Sequence, residues 1–150
     1  DVLASGRKLA GILSEAASGP AGVEWVALGV GVNVSLDAAR LPPDMQDGVT
    51  SLAAEGAADV PVGAVAAAVL ARLAVCCDAL RSSPSAVLSA WRSHAADWWG
   101  SLVEVRVGEA PLRGRLLEVD DEGALVLEIE GGTRRRLLSG EVTRVRQAAR

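Results

Sequence analysis

Phenylalanine and tyrosine are missing from all 150 residues, and the chain holds one histidine, one methionine and two cysteines. A lone histidine, His94, has no second imidazole for a histidine metal site, and nothing marks a triad around it. It reads as an ordinary helix-face residue. Cys76 and Cys77 are adjacent in an Ala/Val/Leu-rich helical pattern, which suits buried thiols better than a disulfide framework or metal ligands. In a chain without Phe or Tyr, Trp91, Trp98 and Trp99 are expected to pack C-terminal strands against helices rather than to stack nucleobases. An excess of positive charge is also lacking. The net charge is −4, so no global basic field invites nucleic acid, and the local "RRR" at 134–136 is expected to be a solvated edge. The longest apolar runs are Ala-rich and broken by Gly, Arg or Asp short of the roughly 18–20 residues a bilayer span needs. No basic segment followed by an apolar stretch and a cleavage site marks a secretory signal. The chain therefore reads as soluble, with no membrane partner. It also lacks an initiator methionine and opens on "DVLASGRKLAG", so it is expected to be a piece of a longer protein.

What is present divides into two patterns. Residues 7–14 and 23–35 read as strands joined by the turn-rich "ASGPAG". In the second, Val26, Leu28, Val30, Val32 and Val34 fall on one face, and Ala27, Gly29, Gly31 and Asn33 on the other. One face is packed and the other is hollow. Residues 35–58 are rich in Pro, Asp and Gly and predict a long loop with at most a short helix near Thr50 to Glu55. From Pro61 to about Leu80, apolar residues at helical spacing predict a core helix with Asp59 ahead of it as a cap. A second helix is expected to start at the Ser83-Pro84 pair and to stop at Gly100. Beyond Gly100, five short alternating runs separated by "GEA", "DDEG" and "GG" suggest a small SH3-like or OB-like β-barrel. The acidic cluster Asp120, Asp121 and Glu122 sits in one of these turns and takes no catalytic role.

Lys8 is the residue that the pattern explains least. By strict alternation it shares a face with Ala10 and Ile12, where a buried ammonium would be costly. A lysine near a strand end commonly snorkels to water. Its neighbours offer another reading: Gly6 and Gly11 let other atoms approach the backbone, and the glycine-rich strand offers a face with almost no side-chain volume. A hollow beside a cation can receive an anion. "GVGVN", Gly29 to Asn33, is not the dinucleotide fingerprint, because its spacing differs and no helix follows to hold a pyrophosphate. It is either a strand that accommodates a close neighbour or a ligand wall, with Asn33 supplying an amide to a ligand or capping a turn.

"GRKLAGILSE", "ALGVGVNV", "LPPD", "TSLAAEG", a helix pair ending near a tryptophan, and "GRLLEVDDEGALVLE" follow one another in an order that resembles the biotin–protein ligase family. The resemblance spans nearly the whole chain and corresponds to the later part of that family's catalytic domain and its C-terminal domain. It implies an α+β fold: part of a mixed-sheet ligase catalytic domain with helices over residues 1–99, then a small SH3-like β-barrel over 100–150. It implies ATP-dependent formation of biotinyl-5′-AMP and transfer of biotin to a lysine of an acceptor, such as the biotin carboxyl carrier protein of acetyl-CoA carboxylase. Biotin and ATP are then substrates, with Mg2+ accompanying ATP. A cytoplasmic setting follows, and a homodimer is compatible with the family. Lys8 matches the motif lysine that lies against the biotin carboxylate and adenylate phosphate, which makes it the catalytic candidate. Gly11, Gly29, Gly31 and Asn33 match the pocket wall around biotin and the adenylate. Asp1 matches the last residue of a "KWPND" motif near the nucleotide or its metal; no residue is assigned as a metal ligand. The family's Gly/Arg-rich loop has no counterpart in this sequence, so the chain by itself is expected to be inactive. Two other readings stay open: a non-catalytic protein-binding module or remnant, and a lipoate-ligase-like enzyme.

Overall fold

In the computed structural model, which describes residues 1–108 and 110–146, the glycine-rich N-terminal segment forms three antiparallel strands in the order β1-β2-β3. These are β1 (Val2–Ala4), β2 (Arg7–Gly19) and β3 (Gly22–Val32). Ser5 and Gly6 make the β1-β2 turn between the paired Ala4 and Arg7, and both have positive φ, at 51° and 75°. Two-residue hairpins with this right-handed twist need such angles, which glycine adopts freely and serine adopts at a cost. Pro20 and Ala21 turn the chain between Gly19 and Gly22, so the second hairpin runs five residues past the expected end of β2 at Ser14. The proline sits in the turn rather than in a strand.

The pairing of β1 with β2 contains an irregularity that no periodicity reveals. Leu3 pairs with Lys8 and Val2 with Ala10, so Leu9 is an extra residue on β2. Successive β1 residues point to opposite faces, and so Lys8 and Ala10 must do the same. The expectation that Lys8 shares a face with Ala10 and Ile12 is corrected by this bulge. Lys8 instead joins the face of Gly11 and its cross-strand partner Gly31. Ala10, on the other face, is buried.

After β3 the chain makes a 3-10 turn at Ala38–Arg40 and a short helix α1 (Pro43–Gln46), then returns to β2. Val49 forms an isolated parallel bridge with Lys8. Residues 51–57 make tight turns, in keeping with a loop that holds at most a short helix there, ended by Gly56 at φ 100°. Thr50 and Ser51 are buried here.

The chain clusters into two compact units, Asp1–Arg72 and Leu73–Arg150, and the division falls within helix α2 (Val62–Ser82). The sequence predicts α2 as a core helix, and the structure corrects that: none of its residues is buried, and Cys76 and Cys77 are exposed. The expectation that no run reaches bilayer length is revised as well, because these 21 residues form one helix long and apolar enough to cross a membrane by length and composition alone. A helix apolar on all sides is ordinarily covered by protein or by lipid.

In the second unit, helix α3 (Pro84–His94) has proline in its first turn as expected but ends well before Gly100, with a 3-10 turn at Ala96–Trp98 intervening. Strands β4 (Leu102–Val107), β5 (Ala110–Val119), β6 (Leu125–Glu128), β7 (Arg134–Leu137) and β8 (Glu141–Arg146) form one antiparallel sheet in the order β7-β6-β5-β4-β8. This order is compatible with an SH3-like fold, although the described strands do not close into a barrel. Its core is Val103, Val105, Leu116 and Leu127, flanked by Trp98 and Trp99. Trp91 and Trp99 pack with ring centroids 6.2 Å apart. Arg92 of α3 donates from Nε to the Val119 carbonyl at 2.7 Å and from Nη2 to Asp121 at 2.9 Å.

Candidate functional site

Lys8 is gripped by its backbone. Its N–H donates to the Gly48 carbonyl at 2.9 Å, and its carbonyl accepts from the Thr50 N–H at 2.9 Å. The Asn33 side-chain amide donates to the same Lys8 carbonyl at 3.3 Å and to the Thr50 carbonyl at 3.0 Å. Asn33 therefore joins β3, β2 and the loop behind the sheet rather than lining the open side of the site. That arrangement exists because Asn33 stands where β3 ends: its own N–H donates to Leu9, the bulged residue.

The side chain of Lys8 emerges into a cleft of about 460 Å³, lined among others by Asp1, Gly11, Gly29 and Gly31. Five of the six residues singled out in the sequence thus meet in one place. The ammonium lies 2.8 Å from the Asp1 carboxylate, and both side chains are about half exposed. Lys8 is also the only lysine in the chain, against fourteen arginines, a compositional signal that marks this position as one where a compact ammonium stands in place of a guanidinium.

The three cleft glycines differ in what they make room for. A Cβ on Gly11 would sit 3.4 Å from Lys8 Nζ and 3.6 Å from Asp1 Oδ1, so this glycine keeps space beside the ion pair. One on Gly29 would lie 3.6 Å from the Leu13 carbonyl, and one on Gly31 would meet nothing within 4 Å. The hollow face expected from "GVGVN" is therefore open space and not close packing against a neighbour. Such an open cleft, lined by glycine backbone and by Ile12, Leu13 and Val30 and holding the Lys8 ammonium against Asp1, suits a ligand with an uncharged body and an anionic group that takes the place of the Asp1 carboxylate.

Glu55 was not among the sequence candidates. Its Oε1 accepts from Arg7 Nη2 at 2.9 Å and from Thr50 Oγ1 at 2.7 Å, and its Oε2 accepts from Ser5 Oγ at 2.9 Å. The Thr50 and Ser5 hydroxyls, with Arg7 beside them, hold its carboxyl below the usual carboxylate range. Thr50 and Glu55 begin and nearly end "TSLAAEG", so the signal lay in a motif already singled out. Among the described residues, no three His, Cys, Asp or Glu side chains converge as a metal site, and Asp1 is the one carboxylate lining this cleft.

Residues 100–144 match the family model described as the biotin protein ligase C terminal domain. Over 139 residues the chain is 34% identical to the biotin–[acetyl-CoA-carboxylase] ligase of Paracoccus denitrificans, covering 88% of this chain and 55% of the relative. The corresponding ligase of Mycobacterium tuberculosis is 33% identical over 134 residues, covering 89% and 47%. Over nearly nine-tenths of its length the chain is similar to biotin–protein ligases.

The bifunctional ligase/repressor BirA of Bacillus spizizenii is 27% identical over 140 residues, 90% of this chain and 42% of the relative. The fold agrees with the biotin protein ligase of Aquifex aeolicus: its apo structure aligns with a TM-score of 0.73 at 22% identity, over 99% of this chain and 62% of that one. The same protein in complex with biotin and ATP aligns with a TM-score of 0.67 at 21% identity, over 95% and 57%. The chain spans about half the length of the ligases it matches in sequence, from 42% of the Bacillus protein to 55% of the Paracoccus protein. The family's mixed helices and antiparallel sheets are thus present, with the cleft carried by the first unit.

Proposed function

We propose that this chain contributes one wall of the biotinyl-adenylate site of an ATP-dependent biotin–protein ligase, with Lys8 as its catalytic cation. The observation that carries the reading is the sole lysine of the chain placed at the end of a glycine-walled cleft. In the first step a biotin carboxylate oxygen attacks the α-phosphorus of ATP; a P–O bond forms, the bond to the β-phosphate bridging oxygen breaks, and pyrophosphate leaves. In the second, an acceptor lysine amine attacks the acyl carbon, the carbonyl oxygen takes up negative charge, the C–O bond to AMP breaks, and the amine gives up a proton. Lys8 stabilises the carboxylate and phosphate oxygens in the first step and the developing oxyanion in the second. Asp1 holds the ammonium until the anion arrives, and Gly11, Gly29 and Gly31 let the uncharged part of the ligand lie against the backbone.

We assign residues 1–99 to the catalytic portion and 100–150 to an SH3-like domain that receives the acceptor, a biotin carboxyl carrier protein, in the cytoplasm. For the divalent cation that accompanies ATP this cleft offers only the Asp1 carboxylate, which by itself is too little to hold it. The relatives named as biotin ligases favour biotin over lipoate.

Calorimetric titration of a stable biotinyl-5′-adenylate analogue into the chain and into Lys8→Ala tests the reading. The expected loss on substitution is about 3 kcal/mol, roughly 100-fold, comparable with removing one preorganised charge-stabilising donor. Equal binding by both proteins, or no binding by a chain that circular dichroism shows to be folded, would overturn it.

A further inference from the structure

We infer that Glu55 is a positioning residue for Lys8, acting through the backbone on both sides of it. The inference rests on the reading that Lys8 meets the ligand's anionic group. Lys8 follows a two-residue turn in which Ser5 has a positive φ that serine ordinarily avoids. On its other side it is bridged to the loop through Gly48 and Thr50. One carboxylate ties the two together: Glu55 takes the Ser5 hydroxyl and the Arg7 guanidinium from the turn, and the Thr50 hydroxyl from the loop. The same Thr50 donates its N–H to the Lys8 carbonyl.

The alternative is that this network only adds surface stability. Exposed ion pairs contribute little on average, and Arg7 is 43% exposed against 23% for Glu55, so a stability role alone would be small. What distinguishes the network is its geometry. Three donors from two segments separated by more than forty residues converge on one group, and the residue between those segments is Lys8. Because the bulge at Leu9 is what turns Lys8 towards Gly11 and Gly31, a loosened turn or loop would let the ammonium leave the cleft without unfolding the sheet. A charged ligand end would feel that change; an uncharged one would not.

The test compares biotin, which carries a carboxylate, with biotin amide, which does not, in calorimetric titrations of the parent chain, Glu55→Gln, Glu55→Asp and Lys8→Ala. Glu55→Gln is expected to weaken biotin about 10-fold and leave biotin amide unchanged, with Glu55→Asp recovering part of the loss. Hydrogen exchange at the Lys8 and Thr50 amides should quicken in Glu55→Gln while the β2-β3 amides stay protected. Lys8→Ala is expected to erase the preference for the anion. If Lys8→Ala binds biotin like the parent, the site reading itself fails. If Lys8→Ala loses the preference but Glu55→Gln keeps parental binding and exchange, the positioning role is overturned. Equal weakening of both ligands by Glu55→Gln would also overturn it, because that is the signature of general damage to the unit.

Discussion

The same substitution, glycine to alanine, should do opposite things at Gly31 and at Gly114. At Gly114, on β5, an added Cβ would stand 2.8 Å from the Glu128 carbonyl oxygen, 3.2 Å from Leu127 Cβ and 3.3 Å from the Glu128 carbonyl carbon. These are backbone and core atoms of the adjacent strand β6, where Leu127 is fully buried, so nothing flexible can give way. Overpacking of this kind costs about 1–3 kcal/mol, against which the stiffer unfolded chain returns about 0.4–1 kcal/mol. The net expectation is a destabilisation of about 1–2 kcal/mol, which at a urea slope of about 2 kcal/mol per molar moves the midpoint down by about 0.5–1 M. Tryptophan fluorescence reads it, since Trp98 and Trp99 pack on this core. At Gly31 nothing lies within 4 Å of the new methyl, and the position sits in a strand where alanine is better tolerated than glycine. Gly31→Ala should therefore leave the midpoint unchanged or slightly raised, yet weaken the adenylate analogue about 10-fold by occupying the cleft. A neutral Gly114→Ala would refute the steric argument. A Gly31→Ala variant that destabilises the chain, or that binds like the parent, would refute the assignment of Gly31 to an open ligand wall.

Two further outcomes concern the second unit. Leu127→Ala should cost about 2–5 kcal/mol in urea unfolding because it opens a cavity at a site with no exposure, whereas Leu138→Ala, at a residue 78% exposed, should stay within about 0.5 kcal/mol; similar losses at both would mean that the sheet core lies elsewhere. Asp120 has its carboxyl lowered from 3.8 to about 2, first by the hydrogen bond from Arg136 and then by the backbone N–H groups of Ala124 and Glu122. A carboxyl depressed in the folded state contributes stability that is fully present above its unfolded value and is lost as the pH falls through the folded one. Stability should thus fall between pH about 4 and about 2, and Asp120→Asn should flatten that part of a pH series; an unchanged slope in the variant would show that the ion pair does not persist in solution.

The elements that alternation and turn chemistry announce were legible in the sequence. β2 and β3 follow from apolar residues at period two around glycine and proline, and the five short strands after Gly100 from the turn glycines between them. The gathering of Gly11, Gly29 and Gly31 was legible too, because antiparallel pairing of adjacent strands brings opposite residues together without any long-range decision, whereas the place of Lys8 beside them came from the resemblance and not from alternation. Asn33 was legible as a residue of consequence but not in its partners: its amide goes to the carbonyls of Lys8 and Thr50, and Thr50 reaches it across a loop whose path is fixed by those very bonds. Burial of α2 was misread from composition, since periodicity says what a helix could bury and not what covers it. The sequence by itself determined strands, turns and the hollow wall, since each depends on neighbours along the chain. Only the tertiary structure decided which way Lys8 points, because one extra residue at Leu9 inverts the alternation and only the pairing partner reveals it, and only it brought Glu55 to the turn before that lysine, because a hydrogen bond between segments fifty residues apart leaves no local trace.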